Sequence, residues 1–269
     1  MRAVILIAAL PMYDWPEVRH ETDEDWHNLR AQFVNSGIPV CERLVRKNAD
    51  MPPVPGGIRS PDGTLVAPDP ARLPPDEFDV HTLWRHPGLV FAQTCWGPLE
   101  QGLADHVRVV GQPDYSAFQG GDGIYYRSAI LMRRNGHDGD VNVPEHSGPS
   151  FDAAMLRNRR FTYNGSDSMS GLLALRRDLV ALGALKGEAD FPDFWSETSI
   201  SGAHRQSVIN LAEGKADVAA IDCRTLDLCR RFEPALKDLR IAGWTARRKG
   251  LPYITSRTAG YAINLSSSG

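Results

Sequence analysis

Short apolar runs separated by polar stretches of helical spacing organise this chain. The runs Ala3–Leu10, Leu89–Thr94, Val107–Val110, Ser128–Arg133, Arg160–Tyr163, Asp217–Ile221 and Leu239–Trp244 predict strands, Ile200–Gly202 predicts a strand end, and Leu239–Trp244 is the last strand expected. Asp23–Ser36 places Trp26, Leu29 and Phe33 on one helical face, with Thr22 or Asp23 as N-cap and Gly37 just past the end. Pro39–Val45 predicts a second helix and Asp79–His86 a short one. Leu172–Leu182, His204–Glu213 and Thr225–Phe232 predict three more. Met51–Pro75 is crowded with proline and glycine, so a long surface loop is expected there. Strands alternating with helices predict α/β lobes with mostly parallel sheets, in which ligands sit beyond the carboxyl ends of the strands. Tyr13, Thr94, Ser168, His204 and Asp222 all fall at such ends.

The amino-terminal run bears a superficial likeness to a signal peptide. It is short, ends at Pro11 and precedes no A-x-A cleavage site, so it reads as a buried strand opening into the Pro11-Met12-Tyr13-Asp14 loop. No run approaches the roughly 20 apolar residues needed to span a bilayer. The length of 269 residues suits two lobes or one large domain. Lys plus Arg (30) nearly balances Asp plus Glu (33), for a net charge of -3, so no broad basic field marks nucleic acid or an anionic membrane as a partner. An anionic ligand would have to be held by local geometry. Cys41, Cys95, Cys223 and Cys229 form no C-x-x-C pair, and their disulfide state is left open. His86, His106 and His204 are scattered and no H-E-x-x-H occurs, so neither a metal nor a cofactor is expected.

The chemistry concentrates in Tyr163-Asn164-Gly165-Ser166-Asp167-Ser168-Met169-Ser170-Gly171, where a strand turns into a helix. The first turn of a helix leaves amide hydrogens unsatisfied and carries partial positive charge. Ser168 and Ser170 add hydroxyl donors there, and Gly171 admits close approach to the backbone. Together these form a cradle for a tetrahedral oxyanion that needs no lysine. Ordinary N-capping would explain one of these residues but not the set. Tyr126, in Tyr125-Tyr126-Arg127-Ser128, could donate one uncharged hydrogen bond, or simply pack in a sheet. His204 starts a helix and could donate to a ligand or cap the backbone. Asp222 ends a buried strand. It either caps the following helix or accepts a proton from a ligand, which would favour monoprotonated phosphate or an aminoalkylphosphonate over sulfate. The orientations of Arg85, Arg127 and Arg133 are open.

An ordered set of motifs runs from about residue 8 to Thr255. It comprises Leu10-Pro11-Met12-Tyr13-Asp14, Leu83-Trp84-Arg85-His86-Pro87, Gln93-Thr94-Cys95-Trp96-Gly97, Tyr126-Arg127-Ser128, Ser168-Met169-Ser170-Gly171, Ser201-Gly202-Ala203-His204 and Asp217-Val218-Ala219-Ala220-Ile221-Asp222. The set resembles the phosphate/phosphite/phosphonate class of ABC-transporter substrate-binding proteins. That resemblance implies a type II periplasmic-binding-protein fold: two α/β lobes, two hinge crossings and a ligand cleft between them. Lobe one is expected at 1–104 plus 225–269 and lobe two at 105–224, with hinges near Leu103–Val110 and Asp222–Leu226 and the oxyanion held mainly by lobe two. The ligand set implied is Tyr13, Thr94, Tyr126, Ser168, Met169, Ser170, His204 and Asp222. The resemblance also implies a monomer that performs no reaction, meets a membrane permease and works in the periplasm or elsewhere outside the cytoplasm. Two features depart from it. Gly120-Gly121 stands where relatives often carry a cysteine that could pair with Cys95, and the tail to Ser266-Ser267-Ser268-Gly269 supplies no closing helix for lobe one.

One rival comes from another class. Gln93-Thr94-Cys95-Trp96-Gly97 with a distant His204 faintly resembles a cysteine-dependent hydrolase. A reactive thiol needs its pKa lowered by a helix start or an imidazolium, and the C-G-S-C-W signature is absent.

Overall fold

The computed structural model describes residues 5–135 and 139–258. Two compact units emerge, one made of Met1–Gln112 with Leu251–Gly269 and the other of Pro113–Gly250. The position of the expected closing helix lies outside the described residues.

Unit one begins with β1 (Ile7–Ala9), and a short 3-10 turn at Pro16–Val18 runs into α1 (Arg19–Asn35). Then come β2 (Ile58–Arg59), β3 (Leu65–Ala67), α2 (Val80–Arg85), β4 (Leu89–Gln93), α3 (Trp96–Glu100) and β5 (Val107–Gly111). Helix α1 starts earlier than the Thr22 or Asp23 cap suggests. Pro16 opens the preceding turn, and Thr22 is buried inside the helix with its hydroxyl donating back to the Val18 carbonyl at 3.4 Å. No helix forms at 39–45. There the Val45 amide donates to the Ala8 carbonyl (2.8 Å), while the Cys41 and Glu42 carbonyls accept from Arg30 and Trp26 of α1, so tertiary bonds take the groups a helix would use. The proline-rich loop folds partly into a β2–β3 hairpin.

Unit two contains β6 (Tyr125–Tyr126), β7 (Ser128–Arg133), β8 (Ser150–Phe151), α4 (Ala153–Leu156) and β9 (Arg160–Tyr163). A π-turn at Met169–Leu173 then leads into α5 (Ala174–Ala181), followed by α6 (Phe191–Phe194), β10 (Glu197–Ile200) and α7 (His204–Ala212). The unit ends with β11 (Val218–Asp222), α8 (Cys223–Phe232), β12 (Leu239–Trp244) and β13 (Arg248–Lys249). The chain then returns to unit one as β14 (Tyr253–Ser256), a strand the hydrophobic pattern did not single out.

Unit one's main sheet has the order β1-β4-β14-β5, and unit two's has β10-β9-β11-β7-β12-β8. The expectation of mostly parallel sheets needs correction. β4 runs parallel to β1, and β9 runs parallel to β10 and β11, but β14, β7 and β12 pair antiparallel with their neighbours. In unit one β14 alone runs against its neighbours β4 and β5, and in unit two β7 runs against β11 and β12 while β8 runs against β12.

The second crossing also differs from the expected 224/225 boundary. Residues 225–250 belong to unit two because β12 pairs along β7, and because Asp178 of α5 holds the segment beyond it. Asp178 is 1% exposed; it accepts from the Ala246 amide (2.8 Å) and pairs with Arg248 (2.5 Å). The first crossing likewise falls at 112/113, past the expected 104/105, because β5 pairs with β14.

Alternating side chains of β1 feed two apolar layers in unit one. Ala8 joins Trp26, Phe33 and Phe91 on the α1 side, and Ile7 and Ala9 join Leu83, Trp84 and Leu103 on the other. In unit two Phe161 stacks on Trp195 at 4.5 Å beneath the sheet that carries the serine turn.

Candidate functional site

The serine turn sits where β9 ends and the helical stretch begins. Its first turn is wide: the amides of Leu172 and Leu173 both reach the Ser168 carbonyl, at 3.2 and 3.0 Å. Such π-turns recur at functional sites because they re-aim side chains. Ser168 does cap this turn, its Oγ accepting from the Gly171 amide at 3.0 Å. That accounts for one lone pair and leaves its hydroxyl proton available, with Ser170 Oγ 3.5 Å away.

Ser170 belongs to a longer chain of contacts. Its Oγ lies 2.8 Å from His204 Nε2 at the start of α7, and the same nitrogen lies 3.5 Å from Asp222 Oδ2 at the end of β11. The His204 and Asp222 side chains are 11% and 3% exposed. Asp222 also caps α8, accepting from the Thr225 amide (2.9 Å) and hydroxyl (2.6 Å). Burial lowers the His204 pKa, against the opposing pull of Asp222, so the ring is neutral near pH 7. With a carboxylate beside Nε2, the proton of the neutral ring is assigned to Nε2. Nε2–H then donates to Ser170 Oγ, and the Ser170 hydroxyl proton is left to point elsewhere. The arrangement is an oriented donor.

Three neighbours complete the setting. Asn164 Oδ1 closes over the turn so tightly that a β-carbon on Gly171 would lie 2.0 Å from it, which explains the glycine. Ser128, opposite Asp222 in the β7–β11 register, keeps a buried hydroxyl without a hydrogen-bond partner. Ser201 ties β9 to α7 through the Tyr163 carbonyl (3.1 Å) and the Ser207 hydroxyl (2.7 Å).

Of the residues singled out in sequence, Ser168, Ser170, His204 and Asp222 thus form one connected cluster. Tyr126 is in the same unit, 2% exposed and stacked on Tyr115 at 5.6 Å. Met169 is buried, with its sulfur 3.7 Å from Arg177. Tyr13 and Thr94 belong to unit one, both buried, and the Thr94 hydroxyl has no hydrogen-bond partner. Asn164 received no role from its sequence position; its place directly after the β9 strand end was the available signal.

The three open arginines have protein partners. Arg127 is buried and donates to the carbonyls of Gly148 and Thr245 at 2.8 Å each and to that of His146. Arg85 donates to the His81 carbonyl (3.2 Å), and Arg133 lies 3.7 Å from Asp217.

Among the described residues no group of three or more His, Cys, Asp or Glu could hold a metal ion, and no helix is long and apolar enough to cross a membrane. All four cysteines are thiols. Burial raises the Cys41 and Cys223 pKa values and pushes Cys229 up to about 12, against nucleophilic use of these three. Cys95 is buried at 9% exposure and, unlike His204, belongs to unit one. Two cavities of unit two, about 400 Å³ beside Leu226 and Arg230 and about 340 Å³ beside Leu172 and Arg176, are lined by none of the four cluster residues.

No family model matches the chain, and no curated protein matches it in sequence. Solved structures do. A phosphonate-binding PhnD1 protein from Prochlorococcus marinus, solved with methylphosphonate, aligns over 94% of this chain and 76% of its own at 13% identity and TM-score 0.58. A Xanthomonas citri protein bound to chloride ion aligns over 97% and 79%, at 14% identity and TM-score 0.54. A binding-protein component of a phosphonate ABC transporter from Pseudomonas aeruginosa aligns over 98% and 71%, at 13% identity and TM-score 0.53. Likeness at such low identity is a likeness of architecture, and with two α/β units joined by two chain crossings, this chain has the type II periplasmic-binding-protein fold.

Proposed function

We propose that this protein is the substrate-binding component of an ABC importer, working outside the cytoplasm. It captures a small tetrahedral oxyanion of the phosphate, phosphite or phosphonate class and delivers it unchanged to a membrane permease. The observation that carries the proposal is the Asp222–His204–Ser170 chain. Asp222 orients the His204 proton, His204 occupies one Ser170 lone pair, and the Ser170 proton is thereby turned outward at a helical start that already favours negative charge. Supporting the ligand class, two proteins of the same fold are described as binding methylphosphonate or serving phosphonate transport.

The same three residue types build hydrolytic triads, but the wiring here differs. A triad places the carboxylate on Nδ1 and the nucleophile on Nε2, so that the proton moves across the ring. Here both partners meet Nε2, so the ring cannot relay a proton between them. Positioning a donor is what remains.

Titration calorimetry with phosphate, phosphite, methylphosphonate and sulfate tests the proposal. At least one of the phosphorus oxyanions should bind at micromolar concentration or tighter, and Ser170→Ala should weaken it by about 1–3 kcal/mol. Silence across the whole panel would remove the proposal.

A further inference from the structure

The larger cavity of unit two, about 400 Å³, takes no residue from the oxyanion cluster. It forms because Pro234 ends α8 and the 3-10 turn Pro234–Asp238 doubles back before β12. Its floor is apolar: Leu226 of α8 and Leu239 and Ile241 of β12 are all buried core side chains. Its rim is cationic. Arg134, Arg230, Lys237 and Arg240 line the cavity against two carboxylates, Asp140 and Glu233. Both carboxylates are already engaged. Asp140 lies 3.3 Å from Arg134 and accepts from the Ile241 amide at 3.0 Å. Glu233 pairs at 2.9 Å with Arg205, which is not part of the lining, and caps the Ala235 amide at 3.2 Å. Arg230 donates to the neutral side-chain carbonyl of Gln119, and Lys237 has no carboxylate partner among the described residues. A cation in the last turn of α8 also suits the helix dipole. That accounts for the charge of Arg230 but not for the apolar floor beside it.

We propose that this cavity binds an organic carboxylate with an apolar body, for which a medium-chain fatty acid is the simplest model. Small-molecule sites span about 300–1,000 Å³ and combine an apolar lining with a few convergent polar groups, as this one does. A bare inorganic anion would lose water against the leucine floor with nothing there to replace it. A carboxylate sets its apolar body on that floor and its two oxygens toward a guanidinium fork and an ammonium. A single negative charge also leaves water at lower cost than a dianion. The proposal does not rest on the oxyanion reading. Arg230 lies eight residues beyond Asp222 on the same helix, about 12 Å along its axis.

Calorimetry at constant ionic strength tests it with octanoate, hexanoate, butyrate and octanamide. Octanoate should bind with a dissociation constant of about 1 mM or below. Affinity should fall about fourfold for each CH₂ removed from the chain. Octanamide, of the same shape without the charge, should bind at least about tenfold more weakly. Arg230 and Lys237 are both exposed, so the double variant Arg230→Gln with Lys237→Gln should keep the melting temperature while losing about tenfold in octanoate affinity. Lys237→Gln alone should lose about threefold. Inorganic phosphate should leave octanoate binding unchanged. Equal affinity for octanoate and octanamide, an unaltered octanoate affinity in the double variant, displacement by phosphate, or no binding at about 10 mM octanoate would each overturn the proposal.

Discussion

His86 in unit one and His204 in unit two are both buried beside a glycine, and burial pulls both below the ordinary histidine pKa. Their nitrogens are spent differently. His86, between α2 and β4, accepts from the Gly88 amide at Nδ1 (3.0 Å) and donates from Nε2 to the Pro52 carbonyl (2.9 Å). Both bonds go to main chain, so the ring bolts the proline-rich loop to the start of a strand. His204 makes no comparable bond: Nε2 meets a serine hydroxyl and a carboxylate, and Nδ1 is left bare. The contrast teaches how to read a buried histidine. Where both nitrogens face backbone, as in His86, the residue holds structure; in His204 one nitrogen is aimed by side chains and the other is unspent.

The glycines give the widest separation between the two regions. A β-carbon on Gly88 would lie 2.2 Å from the Ile5 carbonyl, which is main chain and cannot step aside. Gly88→Ala should therefore cost about 3 kcal/mol or more in chemical denaturation. Gly171→Ala meets the movable end of Asn164 instead and should cost only about 1 kcal/mol, while weakening oxyanion binding at the proposed site in calorimetry. Equal destabilisation by the two would break the comparison.

The rings themselves come next. His86→Ala orphans the Gly88 amide and the Pro52 carbonyl and should destabilise by about 2–4 kcal/mol, with ligand affinity unchanged. His204→Ala should reverse that pattern, with a modest stability loss and weakened binding in calorimetry.

A smaller effect concerns pH. Both folded-state pKa values are depressed, so their stabilisation is complete above the unfolded value near 6.5 and is lost as pH falls below it, because the unfolded chain then takes up protons the folded one refuses. Unfolding free energy should decline by up to about 1.4 kcal/mol per pH unit for each histidine, and His204→Gln should remove one share of that slope. A flat profile between pH 7 and 5 would contradict the burial assigned to both rings.

The smallest effects compare the two strand-to-helix turns. Ser168→Ala removes the cap on the Gly171 amide and should cost about 1 kcal/mol. Thr94→Val, at the end of β4, removes a buried hydroxyl that bonds nothing and should leave the melting temperature equal or higher. A fall of several degrees would show that this hydroxyl has a partner.

Local chemistry along the chain was enough to predict the strands at Arg160–Tyr163 and Leu239–Trp244, most of the helices between strands, and the concentration of hydroxyls after β9, because apolar periodicity, caps and turn residues act over a few positions. The Pro39–Val45 segment shows where that reach ends: its helical pattern yielded to bonds from α1 and β1, which no local window contains. Strand direction, the placement of 225–250 in unit two and the bond between Ser170 and His204, 34 residues apart, were likewise decided by sheet order and packing. Residue types could nominate serine, histidine and aspartate as donors or caps, but which nitrogen meets which oxygen depends on how β9, β11 and α7 lie together. Only the tertiary structure left Asn164 Oδ1 and His204 Nδ1 without partners, because an unsatisfied atom is a property of everything packed around it.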